Sequence, residues 1–307
     1  MNYVQLYQAI QDYAETTEPL FVTNIPRFVQ EAEDRIYNNV QLPSLRKNVT
    51  GTLTSGNKYL SLPNDWLATY SLAIVHTDGT YEYLLNKDVN YIRQAFPDPT
   101  DTGFPTHYAL FGSQYSYTNE MSLIMGPTPD DNYTAELHYF YYPPTIVQGQ
   151  ISLLSSTITG GTLYVPGVYP HVNLTGGTGS GCVATITVNS AGSVSAVVLE
   201  DGGQFYAVGN ALSAASADLG GAGSGFSIAV TEVSNADGTS WLGDNYDPVL
   251  FYGAMREAMI FQKQEPDVIK NYEDKYQEAM AQLKRLGDGL DRGDAYRDGQ
   301  TKLRVNS

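Results

Sequence analysis

Apolar residues along this chain change their spacing twice, and each change marks a change of structural class. Over residues 3 to 15, Tyr3, Leu6, Tyr7, Ile10 and Ala14 recur every three or four positions with Gln and Asp between them. That spacing predicts a short amphipathic helix. A loop through Pro19 follows. Asn24 is placed to cap a second helix with Pro26 in its first turn, where a missing N–H costs nothing. Phe28, Val29, Ala32 and Ile36 form its apolar stripe, and it should end before Pro43.

From about Leu53 to Tyr142 the period shortens to two. Strands are predicted at 58 to 62, 70 to 76, 81 to 84, 106 to 111, 121 to 125 and 133 to 142. Turn residues separate them, among them Pro63-Asn64-Asp65, Asp78-Gly79, Gly126-Pro127 and Asp130-Asp131-Asn132. The pattern predicts a compact antiparallel sheet, with a helical turn or two over 86 to 95.

Between about Gln148 and Asn235 the composition shifts to Gly, Ser, Ala, Val and Thr with almost no charge, which marks a domain boundary. Gly176-Gly177-Thr178-Gly179-Ser180-Gly181 recurs 44 positions later as Gly220-Gly221-Ala222-Gly223-Ser224-Gly225. Each copy leads into an alternating segment, Cys182 to Val188 and Phe226 to Val233, so the repeat reads as a turn feeding a strand. Ser193 to Leu199 supplies another strand between them. Alternation of Val, Ile and Thr favours strands over disorder here.

After Trp241-Leu242 the helical period returns. Asp247-Pro248 starts a helix whose stripe is Leu250, Phe251, Ala254, Ala258 and Phe261, running to Gln264. Pro266 breaks it and begins another, with Ile269, Tyr272, Tyr276, Ala279, Met280 and Leu283 on one face. Such a hairpin needs a partner surface, and the N-terminal helices present one. The predicted fold class is therefore α+β: an antiparallel helix bundle from both chain ends, a compact antiparallel β-sheet, and an inserted all-β domain. Beyond Gly287 a flexible tail is expected, ending in Thr301-Lys302-Leu303-Arg304-Val305.

Composition narrows the function. Hydrophobic residues make up 42% of the 307, only 16% are charged, and Tyr occurs 24 times, so the surface is largely uncharged polar and aromatic and suits protein contact. A formal charge of −16 argues against wrapping nucleic acid, which depends on Lys and Arg, but is compatible with a wall that DNA slides past. Cys182 is the single cysteine, which excludes an intramolecular disulfide and a CxxC-type zinc site; it reads as a buried apolar side chain. The first residues carry no basic and apolar leader, and no window approaches 18 apolar residues. The reading is a soluble protein made in a cytoplasm, with no membrane partner.

Candidate chemistry is thin. His76, His107, His138 and His171 lie about thirty residues apart, and no pair has HxxxH or HExxH spacing, so no metal site is expected. The Gly-rich loops neither end in Gly-Lys-Ser/Thr nor open a helix, which speaks against phosphate cradling. Gly177-Thr178-Gly179-Ser180-Gly181 lacks the strand-to-helix elbow of a catalytic serine. Glu82, Asp88, Glu120 and Glu136 are expected on solvated strand edges or at subunit contacts. Arg292-Gly293-Asp294 and two Asp-Gly steps near it lack the context of an adhesion or calcium motif. No catalytic residue, no cofactor and no metal is expected, and the chain does not read as an enzyme.

Several segments, in order, resemble the head-to-tail adaptor proteins of tailed, especially short-tailed, bacteriophages. They are Ile25-Pro26-Arg27-Phe28 with Ala32-Glu33, Leu62-Pro63-Asn64-Asp65-Trp66, Pro105-Thr106-His107-Tyr108-Ala109-Leu110, and Tyr139-Phe140-Tyr141-Tyr142-Pro143-Pro144. Ser240-Trp241-Leu242, Tyr246-Asp247-Pro248 with Leu250-Phe251-Tyr252-Gly253-Ala254, Glu257-Ala258, and Tyr272-Glu273-Asp274-Lys275-Tyr276 with Ala279 follow. In that family the Tyr-Tyr-Pro segment is soon followed by the Trp-Leu segment, whereas about ninety residues intervene here. The resemblance therefore implies an adaptor core over 1–148 and 238–286, an inserted β-rich domain over 149–237, and a C-terminal extension over 287–307.

It also implies a virion protein at the head-to-tail junction. Its partners would be identical subunits in a ring of about twelve, the portal protein, and the next tail component, a nozzle or tail fibre protein. DNA would pass through without sequence-specific binding. In the extension, Tyr296, Leu303 and Val305 would anchor on the portal, and Arg297, Lys302 and Arg304 would make ionic contacts. The competing readings are a carbohydrate-binding or tail-appendage protein, in which Tyr164, Tyr169 and Tyr206 hold glycans, and a cell-wall hydrolase.

Overall fold

The computed structural model describes residues 1–98, 100–112 and 121–292. Helix α1 (Tyr3–Ala14) starts in a capping box: Asn2 Oδ1 accepts from the Gln5 N–H, and Gln5 Oε1 accepts from the Asn2 N–H, each at 3.0 Å. Helix α2 (Pro19–Asn39) begins five residues before the expected Asn24 cap, because Pro19 occupies its first position with φ already set. Asn24 instead donates to the Leu20 carbonyl at 2.7 Å, and Pro26 lies inside the helix. An interior proline costs about 3 kcal/mol. Burial of Phe21, Ile25, Pro26, Phe28 and Val29 on the same helix offsets it.

Residues Gln41–Pro143 form one compact unit. Its strands are β1 (Arg46–Leu53), β2 (Tyr59–Ser61), β3 (Trp66–Val75), β4 (Tyr81–Tyr83), β5 (Leu85–Asn86), β6 (Thr102–Gly103), β7 (His107–Gly112), β8 (Ser122–Gly126), β9 (Thr128–Pro129) and β10 (Tyr133–Tyr141), with helix α3 (Val89–Ala95) after β5. The expected single sheet is in fact two four-stranded sheets. One runs β1-β10-β3-β4 and is antiparallel throughout; the other runs β2-β8-β7-β5 and ends in a parallel β5–β7 pair. A short parallel β6–β9 pair completes the unit. Leu53, Leu72, Ile74, Ala135, Leu137 and Tyr139 of the first sheet share a core with Tyr108, Leu123 and Met125 of the second. Ile124 points the other way, toward Ile92 of α3.

The Gly-rich stretch folds into six strands, with one short 3-10 turn at Ser216–Leu219: β11 (Gln150–Thr162), β12 (Gly167–Thr175), β13 (Ser180–Val188), β14 (Val194–Gln204), β15 (Ala211–Ala214) and β16 (Ser224–Ser234), in the order β11-β16-β15-β12-β13-β14. The two halves are related by a pseudo-two-fold in which β11, β12 and β13 correspond to β14, β15 and β16. Each half lends its first strand to the other, since β11 pairs with β16 and β14 with β13. Both copies of the repeat use positive φ at equivalent glycines, Gly176, Gly177 and Gly181 in one and Gly220, Gly221 and Gly225 in the other. The duplication is longer than the Gly-rich hexapeptide. Gly161 and Gly203 have φ of 63° and 60°, and Leu163 and Phe205, two residues on, have 66° and 61°. A Cβ on Gly202 would come within 2.3 Å of the Ile151 carbonyl, and one on Gly160 within 2.5 Å of the Val194 carbonyl. The end strands β11 and β14 thus curl round to meet, making a near-closed barrel.

The remaining helices are α4 (Trp241–Asn245), α5 (Asp247–Phe261) and α6 (Pro266–Arg292). Gly253 explains how α2, α5 and α6 approach: a Cβ there would lie 3.0 Å from Ala32 Cβ and 3.2 Å from the Tyr276 ring. Phe21, Phe28 and Phe261 interlock with centroids 5.2 to 6.2 Å apart. Helices from both chain ends therefore pack together, as the stripes predict. α6 continues past Gly287, where a tail was expected to start, and reaches Arg292. A helical glycine costs about 1 kcal/mol, too little to stop a 27-residue helix. The helices and the barrel fall in the same compact unit, Met1–Val40 with Pro144–Gly289.

Candidate functional site

The sheet β1-β10-β3-β4 buries one face, and its register lays out the other. Asn48 lies opposite His138 and then Ser71; Thr50 lies opposite Glu136, Ala73 and Tyr83; Thr52 lies opposite Thr134, Val75 and Tyr81. Glu136 organises the centre: its Oε1 is 2.7 Å from His138 Nε2, and Tyr81 donates its hydroxyl to Oε2 at 3.3 Å. The Glu136 charge raises the Tyr81 phenol above its usual range. Beside them Arg46, Lys47, Asn48, Tyr70 and His138 line an open cleft of about 540 Å³.

Cations here lie on aromatic rings. The Arg46 guanidinium is 4.2 Å from the Tyr70 centroid and 5.0 Å from Phe140, and Lys47 Nζ is 3.9 Å from Tyr141. Lys58, Lys87 and Arg93 sit over Tyr59, Tyr91 and Phe111. These are all the Lys and Arg of residues 41–143. Lys47 also holds Asp65 at 2.8 Å, and the Tyr139 hydroxyl donates to the same carboxylate at 2.9 Å. Burial opposes ionisation of Asp65, yet these two hydrogen bonds hold its pKa below the usual range. Flattened cation–ring pairs and open tyrosines are groups that protein partners bind with little loss of side-chain freedom.

On the helical unit, Ala9, Tyr13, Asp247, Pro248, Phe251 and Tyr252 line a second cleft of about 240 Å³, with Tyr13 edge-on to Phe251 at 5.0 Å. Tyr13 and Leu20 remain more than 60% exposed.

The chain enters and leaves the barrel through a clasped neck. Asn235 donates to the Thr145 carbonyl at 2.8 Å, and Gln148 to the Ala236 carbonyl at 2.9 Å. Glu33 of α2 fixes the entry: its carboxylate accepts from the Thr145 hydroxyl at 2.6 Å and the Ile146 N–H at 2.8 Å. Burial pushes its pKa up to about 7, against the lowering effect of both bonds. Tyr3 of α1 donates to the buried Gln204 of β14 at 2.5 Å.

Three of the four histidines pair with a carboxylate, His76 with Glu82, His138 with Glu136 and His171 with Glu200, and His107 Nδ1 lies 2.8 Å from the Thr106 hydroxyl. Among the described residues no group of three or more His, Cys, Asp or Glu converges as a metal site would require. Asp88 caps α3 by accepting from the Asn90 N–H at 2.7 Å. Tyr164 and Tyr206, suggested glycan platforms, are about 5% exposed inside the barrel and offer no ring face to a sugar, while Tyr169 leans on the barrel and donates to the Val165 carbonyl. Glu120, Gly293, Asp294 and the proposed docking residues Tyr296, Arg297, Lys302, Leu303, Arg304 and Val305 lie outside the described residues.

Sequence reasoning missed β1 and the outward sheet face, because Arg46–Leu53 is an edge strand with exposed positions on both faces and shows no alternation. It also missed Glu33. A carboxylate four positions after Val29, inside the apolar stripe, was the available signal.

In comparison with known proteins, the sequence model of the SU10 adaptor protein family matches residues 1–172. The match takes in α1, α2, the whole 41–143 unit, β11 and part of β12. No curated protein matches the chain.

Proposed function

Since the chain belongs to the SU10 adaptor protein family, and is thereby a bacteriophage adaptor and a virion component, we propose that it forms a ring of about twelve copies between the portal and the next tail component. The observation that carries this is the family match over both N-terminal helices and the entire two-sheet unit. Its work is geometric and electrostatic rather than catalytic. With 33 carboxylates against 17 Lys and Arg, a lumen lined by this chain repels the DNA backbone and lets the genome pass without sticking.

Residues 149–237 act as an inserted domain on the clasped neck, free to decorate the junction or touch a nozzle or tail fibre protein. The residues beyond Arg292 reach onto the portal, with Tyr296, Leu303 and Val305 as anchors and Arg297, Lys302 and Arg304 as ionic contacts.

The test is co-assembly. Purified chain mixed with the portal ring of the same virion should give a complex of fixed stoichiometry by native mass spectrometry, and truncation after Arg292 should weaken it. A chain that ignores the portal ring would contradict this reading.

A further inference from the structure

We propose that neighbouring copies in the ring join the antiparallel sheet edge to edge, β1 of one copy against β4 of the next. The proposal deepens the ring reading above and rests on it.

β1 and β4 stand at the two ends of one sheet, each hydrogen-bonded to a single neighbour. Residues 47 to 52 of β1 and all three residues of β4 are exposed. An open edge is a row of backbone donors and acceptors ready to pair. Because the four strands alternate in direction, β1 and β4 run oppositely, so the edge of one copy meets the other edge of the next as an antiparallel pair without turning the sheet over.

Charge selects this pairing over a pairing of like edges. Arg46–Leu53 carries two cations, Arg46 and Lys47, and no carboxylate. Residues 77–83 carry two carboxylates, Asp78 and Glu82, and no Lys or Arg. Two β1 edges together would set cation against cation; β1 with β4 sets cation against carboxylate. The register puts Lys47, Val49 and Glu82 on one face of the sheet, and Thr50, Tyr81 and Tyr83 on the other. Lys47 and Glu82 already hold Asp65 and His76, yet their side chains stay 45% and 53% exposed, open to a second partner. Two different edges that complement each other make a heterologous contact, the kind that repeats round a ring.

The experiment uses phage carrying Lys47→Glu, Glu82→Lys, or both. Either single change sets like charges across the junction and should lower the copies of this chain per particle at least about tenfold, and the double change should restore them to within about twofold. Loss of the Lys47–Asp65 pair persists in the double variant, so restoration reports the contact between copies and not a folding defect. Singles that incorporate like the wild type, or a double that is not restored, would overturn the proposal. Independently, Asn48→Cys with Tyr81→Cys, the positions that fall opposite each other when Lys47 meets Glu82, should give a ladder of oxidised multimers from particles on a non-reducing gel, with none from either change alone. A missing ladder, or one from Asn48→Cys alone, would also overturn it. Absence of the wild-type chain from particles would defeat the adaptor reading itself.

Discussion

The backbone N–H of Phe226 donates to the Tyr164 hydroxyl across 3.2 Å, and the equivalent N–H of Cys182 does the same for Tyr206. Each tyrosine belongs to one half of the barrel and its donor to the other, so the halves lock reciprocally. The rings are held by the third glycine of each repeat: a Cβ on Gly223 would lie 2.1 Å from the Tyr164 ring, and one on Gly179 within 2.5 Å of Tyr206. Gly223→Ala should therefore destabilise the barrel by about 2 kcal/mol or more. Tyr206→Phe, which leaves the Cys182 N–H unpaired, should cost about 1–2 kcal/mol. Denaturant unfolding followed by a probe within the barrel checks both.

Cys182 is that probe. Burial pushes its thiol up to about 12, with the Asp201 charge adding to the effect, and the side chain is 1% exposed. The native chain should not react with a thiol reagent at pH 8, and should react fully once the barrel opens. Gly223→Ala should raise the labelling rate under native conditions. Rapid labelling of the unaltered chain would contradict the buried placement.

Glu33 makes stability fall as pH rises. Its folded pKa, about 7, lies above the ordinary value of 4.5, so the neutral form is favoured in the native state. Stability from this group is fully present below about pH 4.5 and is lost progressively as pH rises through about 7, a total of roughly 3 kcal/mol. Glu33→Gln should flatten this slope. Comparing unfolding free energies of the two chains at pH 5 and pH 8 measures it.

Glu257 joins helices of both chain ends through charge. Its Oε1 lies 2.7 Å from both Arg35 of α2 and Arg256 of α5, and Arg256 in turn meets Glu273 of α6. Glu257 is 10% exposed, so Glu257→Ala leaves two guanidinium groups short of a partner and should cost about 3 kcal/mol. Glu257→Gln, which keeps the shape and an acceptor, should cost less. Thermal unfolding of both variants decides.

The helices were legible because their apolar stripes coincide with their burial: Leu6, Ile10, Val29, Ala32, Ile36, Leu250, Ala254, Tyr276 and Leu283 are all within the core. Alternation also exposed β13 and β16, whose inward residues are buried every second position. The two-sheet unit was less legible. Its β1 edge has no apolar face, and the short β5, β6 and β9 are two residues each, too brief for any period. The extended duplication escaped because positive φ at Leu163 and Phe205 is set by the Gly contacts around them, and composition does not record it. The outward face of Arg46, His138, Glu136 and Tyr81 is assembled from strands far apart in sequence, so no local motif announces it.

Cryo-electron microscopy of the parent virion tests the central claim most directly. The account predicts a ring of this chain at the portal-to-tail junction, its helices and two-sheet unit repeated around the axis and its barrel attached through the Thr145–Asn235 neck. Density for this chain at any other place in the particle would contradict it.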